Sequence, residues 1–126
     1  MDIENIRVVP ELTLDSKGSI KILSIVIPSY NSAKTLLICL EALEKQTASK
    51  GEFEVTVVDD GSVDETLEML MHFKSRSNIN LYWKTIQNSG PGNARNCGVA
   101  CSTGLWIGLL DADVNPARDW VKKAIQ

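Results

Sequence analysis

The sequence predicts an α/β protein built on a three-layer, doubly wound and mainly parallel sheet. Short β-branched runs alternate with stretches of helical periodicity in the order β-α-β-α-β-α-β, joined by short connections. The runs are nearly continuous in apolar residues, as strands covered on both faces are. Each run also ends on a cluster of polar residues, at the edge where such sheets bind ligands.

A chain of 126 residues fits one domain and can bury roughly two-thirds of its unfolded surface. With 44% hydrophobic and 23% charged residues, a disordered or low-complexity chain is excluded. A net charge of −3 leaves no electrostatic footprint for nucleic acid. An anionic ligand would have to be held by local geometry or by a metal. The three cysteines, Cys39, Cys97 and Cys101, have no metal-like spacing. Cys97 and Cys101, four apart on a helix, would hold their Cβ atoms ~6 Å apart, beyond the ~3.8 Å of a disulfide. All three read as small buried thiols in a reducing compartment. Residues 1–19 carry Asp2, Glu4, Glu11 and Asp15 and do not resemble a signal peptide. They read as an N-terminal arm, and residues 20–126 as the domain. The apolar run Leu105 to Leu110 is far short of the ~20 residues of a membrane helix.

The elements follow in order. Ile22 to Ile27 is the first strand, stopped by Pro28. Asn31 or Ser32 caps a helix whose stripe is Ala33, Leu36, Leu37, Leu40 and Leu43. Phe53 to Val58 is the second strand, closed by Asp59-Asp60-Gly61. Ser62 and Glu65 have the spacing of a capping box, and the helix behind them turns Leu67, Leu70 and Met71 inward. His72 reads as an ordinary helix residue. Asn80 to Ile86 is the third strand. Pro91 opens a helix in which Ala94, Cys97, Gly98 and Cys101 form a stripe of small residues, suited to lying close on the sheet. Gly98 costs about 1 kcal/mol against alanine in mid-helix, so close packing is its expected reason. Gly104 fits the end of that helix. Leu105 to Leu110 is the fourth strand, and Asp119 to Gln126 begins another helix.

The strand-end clusters are Pro28-Ser29-Tyr30-Asn31, Asp59-Asp60-Gly61-Ser62, Asn88-Ser89-Gly90-Pro91-Gly92 and Asp111-Ala112-Asp113. They should converge on one crevice, with helix N-termini pointing into it. Asp111 and Asp113, at i and i+2, project to one side of an extended segment. Such a pair suits Mg²⁺ or Mn²⁺ that also takes phosphate oxygens, and equally suits a turn or helix cap before Pro116. One of Asp59 and Asp60 should face the crevice and the other the turn. Tyr30 could stack on a base or simply pack at the rim. Arg95 could reach a pyrophosphate or form a surface ion pair. Gly90 to Arg95 matches a dinucleotide fingerprint weakly, since Arg95 replaces the third glycine and Pro91 sits inside it. A receiver-type acidic pocket would place the acid pair after the first strand, whereas here it follows the second.

Taken together, four stretches resemble the N-terminal half of a family 2 glycosyltransferase with the GT-A fold. They are Ser24 to Asn31, Val57 to Thr66, Asn88 to Gly98 and Leu110 to Asp113, and the resemblance covers about residues 22–121. It implies a metal-dependent, inverting transferase, of hexosyltransferase type, that moves a sugar from a nucleoside-diphosphate donor to an acceptor hydroxyl. It implicates Pro28, Ser29 and Tyr30 against the nucleobase, Asp60 at the base edge and Arg95 near the phosphates. Asp111 is placed by the ribose or metal, and Asp113 on the metal. The cation would be Mn²⁺ or Mg²⁺, and a UDP-sugar is the family's commonest donor.

The same resemblance places the catalytic base beyond Gln126, so this chain is expected to bind donor without catalysing transfer alone. The alternative is a non-catalytic nucleotide-binding fragment or pseudo-enzyme module. An uncovered edge on the fourth strand predicts self-association. The family's setting implies polysaccharide or cell-envelope synthesis in the cytoplasm, at the inner face of a membrane.

Overall fold

The computed structural model describes residues 21–126; the arm expected over residues 1–19 lies outside them. Four parallel strands form one sheet: β1 (Leu23–Ser29), β2 (Phe53–Asp59), β3 (Asn80–Thr85) and β4 (Trp106–Leu109), in the order β3-β2-β1-β4. The helices are α1 (Ala33–Glu44), α2 (Thr66–Arg76), α3 (Pro91–Cys101) and the short α4 (Trp120–Ala124). The chain steps outward from β1 to β2 to β3, then returns to the other side of β1 with β4. The direction of winding therefore reverses between β1 and β4.

The strand period of two gives the sheet two different faces. Leu23, Ile25 and Ile27 of β1, Phe53, Val55 and Val57 of β2, and Leu81 of β3 all join one core. The stripe of α1 (Leu36, Cys39, Leu40, Leu43) packs there with Leu70 and Phe73 of α2 and Val121 of α4. The opposite face carries Ser24, Val26, Glu54, Thr56 and Val58, and α3 lies across it. A Cβ on Gly98 would sit 2.2 Å from Val26 Cγ1 and 3.2 Å from Val58 Cγ2. Close approach of helix to sheet is thus the reason for a mid-helix glycine, as the sequence suggested.

That second face is held by a buried polar network. The Ser24 hydroxyl donates to Glu54 Oε2 at 2.6 Å and accepts from the Gly104 N–H at 2.8 Å. Thr103 donates its N–H to Glu54 Oε2 at 3.0 Å and its hydroxyl to Glu54 Oε1 at 2.8 Å. A buried carboxylate is tolerated because donors satisfy both its oxygens. The network pins the α3–β4 connection to β1 and β2. Gly104 is required here by space: a Cβ would meet Ser24 N at 2.8 Å. It does not end α3, which is closed by Ser102, whose hydroxyl donates to the Gly98 carbonyl at 2.8 Å.

Several local expectations are corrected. Strand β1 does not stop at Pro28 but runs through it to Ser29. The Val26 carbonyl accepts from Leu110 N–H as β1 and β4 part company, so Pro28's missing N–H costs no ladder bond on that side. Helix α2 starts at Thr66 with Glu65 at the N-cap, so Ser62 and Glu65 make no capping box. Asp64 serves that end instead, accepting from the Thr66 N–H at 3.1 Å and hydroxyl at 2.5 Å. The buried residues of α2 are accordingly Thr66, Leu70 and Phe73, while Leu67 and Met71 are exposed. Of the cysteines only Cys39 is buried; Cys97 is half-buried and Cys101 exposed. In α3 the contact with the sheet is made by Ala94 and Gly98.

Candidate functional site

An open crevice of about 440 Å³ lies at the carboxyl ends of β1 and β4, at the winding reversal. That is the position and size of a ligand site in a sheet of this kind. It opens because β4 pairs with β1 only as far as Leu109 opposite Val26, while β1 continues to Ser29. Every site residue that the sequence singled out lines it: Pro28, Ser29 and Tyr30 from β1, Asp60 from β2, Arg95 from α3, and Asp111 and Asp113 after β4. Sequence reasoning did not assign roles to Ser32 and Asn88, which also line it.

The groups divide sharply by what they already bind. Asp60 is buried, and each oxygen of its carboxylate accepts one backbone hydrogen bond. Oδ1 accepts the Ser89 N–H at 2.9 Å and Oδ2 the Gly90 N–H at 3.0 Å. Its carbonyl accepts from Asn88 Nδ2 at 3.0 Å. Asp60 thus holds the loop that leads into α3, where Gly90 takes a φ of 99° that favours glycine. Asp59 faces the other way and accepts the Ser62 N–H at 3.3 Å. Of the adjacent pair, Asp60 is the one that reaches the crevice.

The other charges are free. Among the described residues the carboxylates of Asp111 and Asp113 and the guanidinium of Arg95 have no hydrogen bond or ion pair. Asp113 is close enough to Cys39 that its charge reinforces the effect of burial, and the Cys39 thiol is pushed up to about 12. Ser29 is 3% exposed, and its hydroxyl has no partner among the described residues. A buried hydroxyl left unpaired costs about 1–3 kcal/mol, so a group entering the crevice gains by meeting it. Tyr30 is 49% exposed and offers a ring face at the rim. The first turn of α3 contributes Pro91, Ala94 and Arg95 to the wall, with the helix's positive end turned toward the cavity.

The donor set was tested for a divalent cation. Among the described residues no group of three or more His, Cys, Asp or Glu is gathered at one place. Asp111 and Asp113 supply two hard, unengaged carboxylates to the crevice lining; they lie in a turn closed by the Val114 N–H on the Asp111 carbonyl at 3.1 Å, not on the extended segment expected from their spacing. Two carboxylates, with the rest of the shell left to phosphate and water, is how Mg²⁺-type sites are commonly built. The residues fit such an ion when it is shared with a phosphorylated ligand, and do not form a closed cage for it.

The model of glycosyl transferase family 2 matches residues 24–126. The chain belongs to that family. AglE, a glycosyltransferase of Haloferax volcanii, is 34% identical over 109 residues, which are 86% of this chain and 36% of that protein. The solved structure of Staphylococcus aureus TarS 1-349 in complex with UDP-GlcNAc superposes with a TM-score of 0.76 at 35% identity, over 82% of this chain and 30% of that one. A mannosyltransferase of Pyrobaculum calidifontis, solved with GDP-Man and Mn²⁺, gives a TM-score of 0.72 at 26% identity, over 76% and 29% of the two chains. The chain therefore spans about a third or less of the relatives it matches. The sheet and its helices are those of the GT-A fold expected from the motifs.

Proposed function

We propose that the crevice binds the nucleoside-diphosphate sugar donor of an inverting glycosyltransferase of hexosyltransferase type. The observation that carries this is that Arg95, Asp111 and Asp113 line one cavity with no side-chain partner among the described residues. A buried structural charge is paired, as Glu54 is; Arg95 is half-buried and Asp111 and Asp113 are exposed, so all three stay open to a ligand that enters the cavity.

The base of the donor would lie on the Pro28-Ser29-Tyr30 wall, with Tyr30 stacking on it and the unpaired Ser29 hydroxyl bonding a polar atom. Asp60 would present its remaining lone pairs at the base edge while holding the Ser89–Gly90 amides. Arg95 would take the pyrophosphate, whose charge grows as the acceptor hydroxyl displaces it from the anomeric carbon. A guanidinium with no ion pair to break meets that charge without rearrangement, which is the condition for electrostatic stabilisation of a leaving group. Mn²⁺ or Mg²⁺ held by Asp113 and Asp111 would supply Lewis-acid neutralisation of the same phosphates.

Names of relatives support the donor class: TarS was solved with UDP-GlcNAc and is called a poly(ribitol-phosphate) β-N-acetylglucosaminyltransferase. A UDP-sugar and a cell-envelope or polysaccharide acceptor are accordingly proposed here. The chain spans about a third or less of its relatives, so transfer is proposed for the whole protein and donor binding for these residues. A cytoplasmic setting at a membrane's inner face is proposed from the family resemblance, and free thiols accord with a reducing compartment. The outer edge of β4, unpaired among the described strands, favours self-association, which a clean monomer in sedimentation at high concentration would exclude. The donor proposal is tested by calorimetry with UDP, GDP and CDP, each with and without Mn²⁺. Binding of none of them by the folded chain would refute it.

A further inference from the structure

In that reading Tyr30 carries the ring against which a base stacks, yet the side chain has no hydrogen bond of its own among the described residues. Its position must come from its backbone. Residue 31 adopts a φ of +47°, left-handed for a residue with a Cβ, which asparagine tolerates better than most but does not favour. Something must hold the chain there.

One holding contact is local, the Ser32 hydroxyl donating to the Tyr30 carbonyl at 2.8 Å; the long-range ones come from one segment some thirty residues away. Asn31 donates its N–H to the Ser62 hydroxyl at 2.8 Å, and its side-chain Oδ1 accepts the Val63 N–H at 2.8 Å. Two residues on, Ala33 donates its N–H to Asp64 Oδ2 at 3.2 Å. Asp64 is itself fixed by Thr66, and the Ser62 N–H by Asp59. The segment 31–33 is thus latched to the segment 62–64 by three long-range bonds. The second segment follows directly on Asp60, whose carboxylate holds Ser89 and Gly90. Tyr30, Asp60 and the entrance to α3 form one hydrogen-bonded unit, although Asn31, Ser62 and Asp64 do not themselves line the crevice.

We infer that Asn31, Ser62 and Asp64 are positioning residues: the latch they form fixes Tyr30 in the crevice and so sets affinity for the nucleoside part of a ligand. The inference rests on the donor-site reading, and the experiment separates the two. The chain has two tyrosines, so 3-fluorotyrosine labelling gives two ¹⁹F signals, and Tyr82→Phe assigns Tyr30. Without any nucleotide, Asn31→Ala is expected to shift or broaden the Tyr30 signal. UDP affinity is expected to fall about tenfold, the loss of one to two hydrogen bonds. Binding of Mn²⁺-pyrophosphate, which meets Arg95 and Asp113 but not Tyr30, is expected to stay within about twofold, as a distant site should.

Asn31→Gly relieves the left-handed strain but lacks the Oδ1 acceptor, so it should behave like the alanine variant. Ser62→Ala, which leaves residue 31 intact, should show the same pattern more weakly. An unchanged Tyr30 signal in both Asn31→Ala and Ser62→Ala overturns the latch, whatever UDP does. So does full recovery in Asn31→Gly, which would make strain the whole effect. So does equal weakening of UDP and pyrophosphate, the mark of general destabilisation. Failure of the unaltered chain to bind UDP, with the Tyr30 signal still moving in Asn31→Ala, would refute the donor reading and the affinity claim but leave the latch's control of Tyr30 standing.

Discussion

Two polar clusters lie about one sheet and are built on opposite terms. Under α3, Glu54 is buried, and Ser24 and Thr103 satisfy both its oxygens. At the carboxyl ends of β1 and β4, Arg95, Asp111 and Asp113 are at least partly exposed and unpaired among the described residues, and the buried Ser29 hydroxyl has no acceptor or donor. The first cluster is complete without a ligand and serves the fold. The second is left open, and is proposed to be completed by one. Residue type does not separate them, since carboxylates and hydroxyls occur in both; satisfaction of hydrogen bonds does.

Substitutions in the two clusters should have opposite consequences. The largest effect should come from the structural side. Gly98→Val places a side chain where Val26 Cγ1 already stands 2.2 Å from a Cβ. It is expected to cost about 3 kcal/mol or more, in the upper range for overpacking, measured by urea unfolding. Glu54→Ala leaves Ser24 and Thr103 donors unsatisfied, and a loss of about 2–3 kcal/mol is expected. Nucleotide affinity in the fraction that remains folded should be unaltered. On the other side the signs reverse. Arg95→Ala should change stability by less than about 0.5 kcal/mol, while nucleoside-diphosphate affinity falls at least about tenfold, as loss of a charge-assisted bond requires.

The smallest effect is a pH dependence at Asp64. Burial, the largest single influence, raises its carboxyl, but bonds from the Thr66 hydroxyl and the Ala33 and Thr66 amides together outweigh this and hold it below the ordinary carboxylate range. The folded state therefore binds that proton less readily than the unfolded one. The resulting stabilisation is complete above the ordinary carboxylate range and is lost as pH falls through it toward the lower folded value. The stability gap between the unaltered chain and Asp64→Asn should narrow over that window. Because Asp64 is exposed, screening keeps the change small. A constant gap from neutral to acid pH would contradict it.

Much of this was legible in the sequence. The strands were visible as apolar runs because both faces of the sheet are covered, and α1 because its stripe, Leu36, Leu40 and Leu43, is complete. The site was visible because polar residues crowd the strand ends, where the parallel order brings them together. What local spacing missed was decided by long-range bonds. Ser62 looked like a helix cap, but its hydroxyl serves Asn31. Helix α2 then starts later, and the inward face becomes Leu70 and Phe73 rather than Leu67 and Met71. Asp60 was read as a base-edge residue from a motif; that it also clamps Ser89 and Gly90 depends on a loop brought alongside by the pairing of β2 with β3. Gly104 fitted a helix end, yet it is needed because Ser24, eighty residues earlier, lies against it.

The central claim is that the unpaired charges at the winding reversal exist to hold a metal-bound nucleoside diphosphate. It is tested most directly by titrating UDP into the unaltered chain and into Asp113→Asn, with and without Mn²⁺. Mn²⁺ is expected to tighten UDP binding in the unaltered chain and to do so at least about tenfold less in the variant, with thermal stability the same in both. Equal Mn²⁺ enhancement in the two proteins, or no binding of UDP by either, would contradict it.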